Sequence, residues 1–444
     1  MPPSVRVINP VDLPAELPCE RHVLRPGARM GYKPNAVELS TGELVLANFH
    51  THYEAYDDGS MCEHIVLHRS GDGGRVWTAR HVDHLWGREP YLNPLAGDVL
   101  LITTHFLDAD VRNRTGHTTV YLHRSEDRGE TWTSALVDVD QIPEDVAYTY
   151  TSRNILDLGD GTCIMGVGCG HGADYLFRSG DGGLTWQVEK MATTGFDALR
   201  YEYSILQEGV FHLTEEGRLL LLARCDARAM GFDHPLPGLP DLSAAGGSSS
   251  DHWDVEIIFE SGDDGHSWTA VQALPILGCM YPSLCSLGRG CYLFTYTQRV
   301  PLADRHMGVY GLVLQEREDG TFGADVTRDV IVIDEKTPDH YDSGGGFGNT
   351  LRLRDGALLT PYSYLEADPE IDELLRTGSF MDEAVFNRYR DRALPYYRRW
   401  VEGVTWERLV EADRVTQQHC FMGCTQVLNL SGPITEVCRW NLPG

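Results

Sequence analysis

Side chains that bind or transform charged ligands recur at similar distances from six glycine turns in this sequence. About nine residues before each turn glycine stand Lys33, Arg88, Arg153, Glu208, Tyr281 and Phe347. Roughly seven to ten residues after it stand His50, His52, His105, His171, Arg224, Asp226, Arg299, Tyr362 and Tyr364. Guanidinium and ammonium groups bind carboxylates, while carboxyl, phenol and imidazole groups can transfer protons. If each turn joins two β-strands, both sets lie at the same end of their hairpins and converge on one site.

The charge of the whole chain makes these cations informative. The 444 residues include 37 Lys and Arg against 65 Asp and Glu, a formal net charge of −28. A chain this acidic is not expected to bind nucleic acid or an anionic membrane surface. Positions that only packed a core would be apolar. Cations concentrated in an acidic chain therefore predict an anionic ligand, one that carries a carboxylate.

Four copies of one pattern, Ser-x-Asp-x-Gly-x-x-Trp, indicate how the strands are connected. The copies lie at Arg69–Trp77, Arg124–Trp132, Arg178–Trp186 and Glu260–Trp268. The Asp can accept backbone N–H groups within a tight turn, and the Gly adopts a positive φ without steric cost. The Trp then packs its ring where the next strand begins. We therefore predict that these four Asp residues have a structural role.

Six strand–turn–strand segments carry the residues of the predicted site. They are Tyr32–Phe49, Leu92–Phe106, Ser152–Gly168, Glu208–Arg224, Tyr281–Tyr296 and Gly348–Tyr364. Gly (46) and Pro (22) together suit many short strands. A third strand, a turn and a fourth strand complete each unit of about 74 residues, the size of a propeller blade. The sequence predicts an all-β fold: one domain, residues 1–444, folded as a six-bladed β-propeller of four-stranded antiparallel blades.

Two stretches interrupt this rhythm. Residues 227–252 are rich in Gly, Pro and Ser, and they follow the second strand of the fourth unit as a loop beside Arg224. Residues 366–400 contain helix formers with apolar residues at helical spacing, which predicts a helical insertion in the sixth blade. Such an insertion can wall a pocket or form a contact between subunits, so a homo-oligomer is possible.

The Ser-x-Asp-x-Gly-x-x-Trp pattern is the Asp box, or BNR repeat, and the six units resemble the sialidase-like six-bladed β-propeller superfamily. The resemblance covers roughly Lys33 to Trp406, with the terminal segments left to close the ring. It implies an exo-acting glycoside hydrolase. Enzymes of this family use three arginines for the substrate carboxylate, a tyrosine nucleophile assisted by a glutamate, and an aspartic acid as general acid/base.

The resemblance assigns roles residue by residue. Glu208, followed sixteen residues later by Arg224, resembles the family's glutamate and second arginine. Arg305 is similar to the third arginine, and Asp58 is placed like the acid/base aspartate. Tyr281 resembles the nucleophile motif, although one blade early.

Two family positions hold other residues. The first arginine falls on Tyr32, with Lys33 beside it, and lysine lacks the bidentate fork of arginine. The nucleophilic tyrosine falls on Phe347, which leaves Tyr281 and the nearby Tyr341 as candidates.

The leading prediction is a sialidase-like hydrolase of an acidic sugar or oligosaccharide. In this prediction Glu208 and Tyr281 are the nucleophile pair and Asp58 is the acid/base. The predicted substrate-binding residues are Lys33, His50, Arg88, Arg153, His171, Arg224, Arg305, Tyr341 and Tyr364.

Two alternatives stay open. His105 or His171 with Tyr281 could support β-elimination, the chemistry of a polysaccharide lyase that acts on uronates. A non-catalytic glycan-binding propeller is the other alternative. The histidines from successive units could also converge on a divalent metal, but some clustering is expected among 18 His, and we predict no metal and no cofactor.

The N-terminal residues and the cysteines indicate the cellular compartment in which the protein is expected. The N-terminal residues lack the basic-then-apolar pattern of a signal peptide, and the 11 Cys form no compact disulfide framework. No apolar run approaches the ~18 residues of a membrane span. We expect a cytoplasmic protein, with a trimmed secreted form as the other possibility.

Overall fold

The computed structural model describes residues 3–24, 31–50, 63–106, 110–113, 120–137, 141, 149–169, 173–194, 208–226, 254–299, 305–335, 346, 348–366, 383–384, 387 and 432–443. Within these ranges the regular secondary structure is almost entirely β-strand, which confirms the predicted all-β class. Many strands are buried along their whole length, as in the Val-Ile-Val-Ile-Asp run at 330–334. Burial on both faces is expected where sheets pack against one another.

The described strands are short and follow one another closely. In chain order they are β1 (Ser4–Ile8), β2 (Glu16–Leu24), β3 (Tyr32–Glu38), β4 (Leu44–His50), β5 (His64–Ser70), β6 (Thr78–Trp86), β7 (Arg88–Leu95), β8 (Val99–His105), β9 (Val120–Ser125), β10 (Thr133–Leu136), β11 (Thr149–Gly159), β12 (Thr162–Cys169), β13 (Ala173–Ser179), β14 (Gln187–Lys190), β15 (Ala192–Thr194), β16 (Val210–Leu213), β17 (Leu219–Asp226), β18 (Asp254–Ser261), β19 (Ser267–Ala273), β20 (Cys279–Gly288), β21 (Cys291–Gln298), β22 (Gly308–Glu316), β23 (Phe322–Gly323), β24 (Val330–Asp334), β25 (Leu351–Arg352), β26 (Leu358–Glu366) and β27 (Gly432–Trp440). A 3₁₀ turn, Ala96–Asp98, joins β7 to β8.

These strands form successive antiparallel sheets. Sheets 1 to 4 have the strand orders β3-β4-β5-β6, β10-β9-β8-β7, β11-β12-β13-β14 and β15-β19-β18-β17-β16. β15 is the exception in direction, since it pairs parallel to β19. A ten-stranded sheet follows the order β20-β21-β22-β24-β1-β2-β27-β26-β25, with β23 beside β22. We call its half from β20 to β24 sheet 5 and its half from β1 to β25 sheet 6.

The two ends of the chain lie in one sheet. Strand β2, near the N-terminus, pairs with β27, near the C-terminus, from Cys19 opposite Trp440 to Leu24 opposite Thr435. Strand β1 pairs on its other side with β24 of sheet 5. The terminal segments therefore contribute three strands, β1, β2 and β27, to sheet 6, beside the hairpin β25–β26.

Side chains of the first strands tie each sheet to the next. Among the described residues, buried or half-buried Asn and Ser side chains accept a backbone N–H from the neighbouring sheet in five places. The donors and acceptors are Leu92 N to Asn35 Oδ1 (2.6 Å), Ile155 N to Asn93 Oδ1 (2.7 Å), Phe211 N to Asn154 Oδ1 (2.8 Å), Thr350 N to Ser283 Oγ (2.9 Å) and Ala36 N to Asn349 Oδ1 (2.9 Å). Sheets 4 and 5 share an apolar cluster that includes Leu222, Ile258 and Phe294. Each sheet thus contacts the next in chain order, and sheet 6 contacts sheet 1.

The four repeated turns have the structural role predicted for them. In the turn at 261–268, Asp263 accepts the backbone N–H of Ser267 at 2.8 Å and the hydroxyls of Ser267 and Ser261. Gly265 has φ of +90° and donates its N–H to Ser261 Oγ, while Trp268, fully buried, donates its indole N–H to Gly265 O. The other three copies make the same Ser, Gly and Trp contacts.

Replacement of Asp263 by asparagine is expected to lower the melting temperature by a few degrees at neutral pH. Hydrogen bonds from Ser267 hold the pKa of Asp263 at about 2, below its ordinary value of 3.8. Because the folded pKa is depressed, this stabilisation is present above pH ~4 and is lost as the pH falls towards 2. The melting temperatures of wild type and variant should therefore converge near pH 2. The exposed neighbour Asp264, whose φ of +56° suits asparagine, provides the matched control Asp264→Asn. A gap that does not depend on pH would contradict the assignment.

The two predicted insertions fall mainly outside the described residues. Of residues 227–252 none is described, and of residues 367–400 the described ones are Glu383, Ala384 and Asn387, which are helical. In the described part of the chain no helix is long and apolar enough to cross a membrane.

Candidate functional site

The register of each hairpin brings the predicted site positions to one end of the sheets. Tyr32, at the start of β3, pairs with Phe49, near the end of β4, and Arg88 likewise pairs with His105. The repeated Ser-Asp turns lie at the opposite end, because Ser70 pairs with Leu44 where β4 begins. The starts of the first strands and the ends of the second strands therefore share one face of the molecule.

Irregular backbone at these strand starts orients the side chains. The register shifts between Tyr32 and Asn35, Arg88 and Tyr91, Thr151 and Ile155, and Met280 and Ser283. Within three of these bulges Lys33, Glu89 and Tyr281 have φ of +46°, +57° and +58°. Non-glycine residues rarely adopt the left-handed region, and such strained bulges are concentrated at functional sites, where they redirect a side chain. The same distortion in three sheets indicates a site built between them.

Alternating charges form a buried network across sheets 1 to 4, which we call the central ion cluster. Its members are Lys33, Glu63, Arg88, Glu89, Arg153, Glu208, Arg224 and Asp254. Lys33 Nζ lies 2.5 Å from Glu89 Oε1 and 3.8 Å from Glu208 Oε1. Arg153 binds both carboxylates, with Nη2 2.5 Å from Glu208 Oε1 and Nη1 against Glu89 Oε2.

Further ion pairs extend the cluster on both sides. Arg224 Nη1 lies 2.5 Å from Glu208 Oε2, and its Nη2 lies 2.6 Å from Asp254 Oδ2. On the other side Arg88 Nη1 lies 3.0 Å from Glu63 Oε1. Glu208 thus accepts hydrogen bonds from two guanidinium groups, one from sheet 3 and one from its own sheet.

The aromatic ring of Tyr281 packs on this cluster from sheet 5. The guanidinium carbon of Arg153 lies 4.3 Å from the ring centroid, and Tyr281 is 2% exposed. Burial raises the pKa of the Tyr281 phenol, with the charges of Glu89 and Glu208 adding to the effect, although Arg153 opposes it. The phenol is therefore neutral and close enough to Glu208 to be affected by its charge.

The charges of the cluster set the protonation of its members. Burial opposes ionisation of Glu208, but Arg224, Arg153 and Lys33 outweigh it and lower the pKa of Glu208 to about 2. Lys33 and Arg153 likewise hold the pKa of Glu89 well below its usual range, against the effect of burial. Burial, aided by Arg153, lowers the pKa of Lys33 to about 8. Both glutamates are consequently ionised throughout the neutral range.

Burial favours the uncharged form of three other groups in or beside the cluster. Burial lowers the pKa of His105 to about 3, so its imidazole is uncharged. Burial raises the pKa of Glu63 to about 7, and it raises the pKa of Glu256, next to Glu208 and Asp254, well above the ordinary value.

The structure brings together some of the predicted residues and places others elsewhere. Lys33, Arg88, Arg153, Glu208 and Arg224 lie in the cluster, with Tyr281 packed on it and His105 beside it. Asp58, His171, Tyr341 and Phe347 lie outside the described residues, as does the side chain of His50.

Arg305 precedes β22 and Tyr364 lies in β26. Arg305 donates to Val326 O, before β24, at 2.9 Å and to Tyr296 Oη of sheet 5 at 3.3 Å, and its guanidinium lies 5.9 Å from the ring of Tyr310 in the same sheet. Tyr364 is 5% exposed and packs in the apolar core around sheet 6. Their substrate-binding roles stay predictions.

Three carboxylates of the cluster were missed in the sequence. Glu89 directly follows Arg88. The predicted site positions lie about nine residues before a turn glycine, and this spacing selected Arg88 rather than its neighbour. Glu63 directly precedes the third strand β5 and Asp254 begins the third strand β18, where no repeat pattern marks them. Among the described residues no group of three His, Cys, Asp or Glu is arranged to hold a metal ion.

Solved structures share this architecture at low sequence identity. No family model matches the chain, and no curated protein does. A protein of unknown function from Dyadobacter fermentans is 17% identical with a TM-score of 0.53, over 78% of this chain and 93% of its own. The leech intramolecular trans-sialidase is 12% identical, with a TM-score of 0.52 over 76% of this chain and 65% of its own. The Hadza microbial sialidase Hz136 is 17% identical, with a TM-score of 0.51 over 76% and 63%.

Similarity at these identities shows a shared fold, and the activity has to be inferred from the site itself. The chain spans less than two thirds of the two sialidases named here. The similarity extends over about three quarters of this chain and confirms the predicted resemblance at the level of the fold. The fold of this protein is therefore similar to that of the two sialidases.

Proposed function

We propose that this protein is a glycoside hydrolase built on a six-bladed, Asp-box β-propeller of the sialidase type. The contacts of each sheet with the next, and of sheet 6 with sheet 1, support the closed ring. The paired terminal strands β2 and β27 support its closure within the last blade. The cluster at the shared strand ends then lies where first strands from several blades converge, the usual place for a propeller site.

The contact of Arg153 with both Tyr281 and Glu208 is the observation that carries this proposal. It joins a buried phenol, an ionised carboxylate and a guanidinium from three different sheets. A neutral tyrosine beside a carboxylate that can accept its proton forms an activated nucleophile. In the empty site the raised pKa of Tyr281 and the low pKa of Glu208 both oppose that transfer. Positive charge that develops on the sugar ring in the transition state favours it, because that charge stabilises the tyrosinate.

The general acid is the part of the mechanism assigned by resemblance. Asp58 is proposed for this role, and it belongs to the connection between β4 and β5. Glu63, the last residue of the same connection, binds Arg88 of the cluster, which supports a role for this connection at the site. The proposed substrate is the end of a glycan chain, and the resemblance to sialidases favours an acidic sugar.

A panel of chromogenic glycosides tests the proposal. It contains sialosides, uronides and uncharged hexosides in both anomeric forms, assayed with wild type and with Tyr281→Phe. At least one glycoside should be hydrolysed by wild type, and Tyr281→Phe should reduce that rate by about 100-fold or more, since removal of a nucleophile or acid–base group costs 10²–10⁴.

The matched control is Tyr292→Phe. Tyr292 is buried between sheets 4 and 5, with its hydroxyl 3.4 Å from Glu216 Oε2, so it shares the burial of Tyr281 without the cluster. Equal rates for wild type and Tyr281→Phe would contradict the proposed nucleophile, and a panel with no hydrolysed member would contradict the proposed hydrolase.

The neutral imidazole of His105 favours a second candidate, a lyase that acts on uronates. Uncharged His105, which pairs with Arg88 across the hairpin, has a ring lone pair for the proton that β-elimination removes, and the cations stabilise the carboxylate, but its pKa of about 3 makes it a weak base. A product with a new double bond that absorbs in the ultraviolet would identify this chemistry. Binding without any turnover would instead indicate a glycan-binding propeller.

A further inference from the structure

Three cations of the central ion cluster surround a carboxylate that belongs to the protein. Glu89 Oε1 lies 2.5 Å from Lys33 Nζ and 3.7 Å from Arg88 Nε, and Glu89 Oε2 accepts a hydrogen bond from Arg153 Nη1. The side chain of Glu89 is 15% exposed, so the contacts are largely shielded from water. An anionic ligand would normally occupy the centre of such a group of cations.

The backbone holds Glu89 in this place at a cost. Its φ of +57° lies in the left-handed region, which a side chain with a Cβ adopts with difficulty. Lys33 has the same distortion in the neighbouring sheet and meets Glu89 from the other side. Strain of this kind persists where the surrounding structure requires a particular side-chain position. The geometry therefore selects a carboxylate at this point.

The described cluster has little surplus of positive charge at neutral pH. Its cations are Lys33, Arg88, Arg153 and Arg224, and its carboxylates are Glu89, Glu208, Asp254 and the partly protonated Glu63. A substrate carboxylate that entered here would lie against Glu89 and Glu208, which are both ionised. Like charges brought together in a buried site repel strongly, because little water screens them.

We propose that Glu89 takes the position of a substrate carboxylate, so that the site accepts a sugar without one, an uncharged glycoside. This rests on the proposed hydrolase function and replaces the acidic sugar within it. Sugar hydroxyls suit paired ions because each hydroxyl donates to a carboxylate and accepts from a guanidinium or ammonium group at once. The pairs around Glu89 and Glu208 offer both partners side by side.

Matched substrate pairs test this inference. Chromogenic galactosides and galacturonides, and glucosides and glucuronides, differ only in a hydroxymethyl or a carboxylate group. Wild type should prefer the uncharged member by roughly 100-fold in kcat/KM, below the ~1,000-fold that like charges 4 Å apart give at an effective dielectric constant of 20. Glu89→Gln retains the shape and removes the charge, so the preference should move towards the acidic member by a similar factor.

Glu260→Gln is the matched control, since Glu260 pairs with Arg218 at the other end of sheet 4 and should leave the preference unchanged. Calorimetric binding of free galactose and galacturonate to wild type provides a measurement that needs neither turnover nor a folded variant. Tighter binding or faster turnover of the acidic member by wild type would overturn this inference and leave the hydrolase intact. Hydrolysis of neither class would overturn the proposed hydrolase, and calorimetric binding of neither sugar would overturn the inference as well.

Discussion

Replacement of Glu208 by glutamine is expected to lower kcat of the proposed hydrolase by roughly 10²–10⁴-fold, the contribution of a positioned proton acceptor. The amide keeps the shape of the side chain, but it cannot take the phenol proton of Tyr281. It also removes the negative charge, which stabilises positive charge on the sugar ring as it develops. KM should change less than kcat, because the lost interaction is strongest in the transition state. Steady-state kinetics on the best substrate of the glycoside panel measure both.

Two measurements separate chemistry from folding in this experiment. Glu260→Gln removes a carboxylate from the same sheet, where it pairs with Arg218 at 2.7 Å, and kcat should stay within a factor of two or so of wild type, as for changes away from a site. Circular dichroism at the assay temperature shows whether Glu208→Gln is folded. A folded Glu208→Gln protein with the wild-type kcat would remove Glu208 from the mechanism.

Replacement of Arg153 by methionine is expected to destabilise the protein by about 3–5 kcal/mol, the cost of removing one partner from a buried ion pair. Arg153 is 3% exposed and is the direct link between Glu89 and Glu208. Methionine fills a similar volume, so the loss comes mainly from two carboxylates that keep their burial and lose a cation. Chemical denaturation of the two proteins at neutral pH gives the difference in the free energy of unfolding.

A second substitution identifies the source of that loss. Glu89→Gln removes the charge of one of the two carboxylates that lose their cation in Arg153→Met. The double variant should therefore be more stable than Arg153→Met alone by at least about 1 kcal/mol, a coupling expected of contacting residues. Arg80→Met breaks the exposed pair with Glu130 and should cost less than about 1 kcal/mol. A loss for Arg153→Met as small as that for Arg80→Met would mean that the cluster is not tightly held.

Local patterns predicted the scaffold well. The turn at 261–268 could be derived from Ser261, Asp263 and Gly265 because the hydrogen bonds that these residues make within the turn join positions two to four residues apart. The hairpins followed for the same reason, and with them the placement of Tyr32 beside Phe49 at the site end of the sheet. Strand composition and turn chemistry act over short distances, so a single sequence displays them.

Hairpin patterns predicted only part of the site. Hairpin spacing brought Lys33, Arg153 and Glu208 to one face, yet it selected Arg88 and passed over Glu89. A strand alternates its side chains with period 2, and a bulge of one residue reverses that alternation. Arg305 was assigned by resemblance, and two of its hydrogen bonds go to Tyr296 of sheet 5 and to Val326 before β24.

The sequence by itself therefore determined the repeated strands, their turns and the end of each hairpin at which polar residues gather. Only the tertiary structure decided that the cations lie against carboxylates of the protein, as Arg153 does against Glu89, 64 residues earlier, and Glu208, 55 residues later. The physical reason is that hydrogen bonds in a turn depend on neighbours in the chain. The charge around a buried side chain depends on which sheets pack together and on where their backbones bulge.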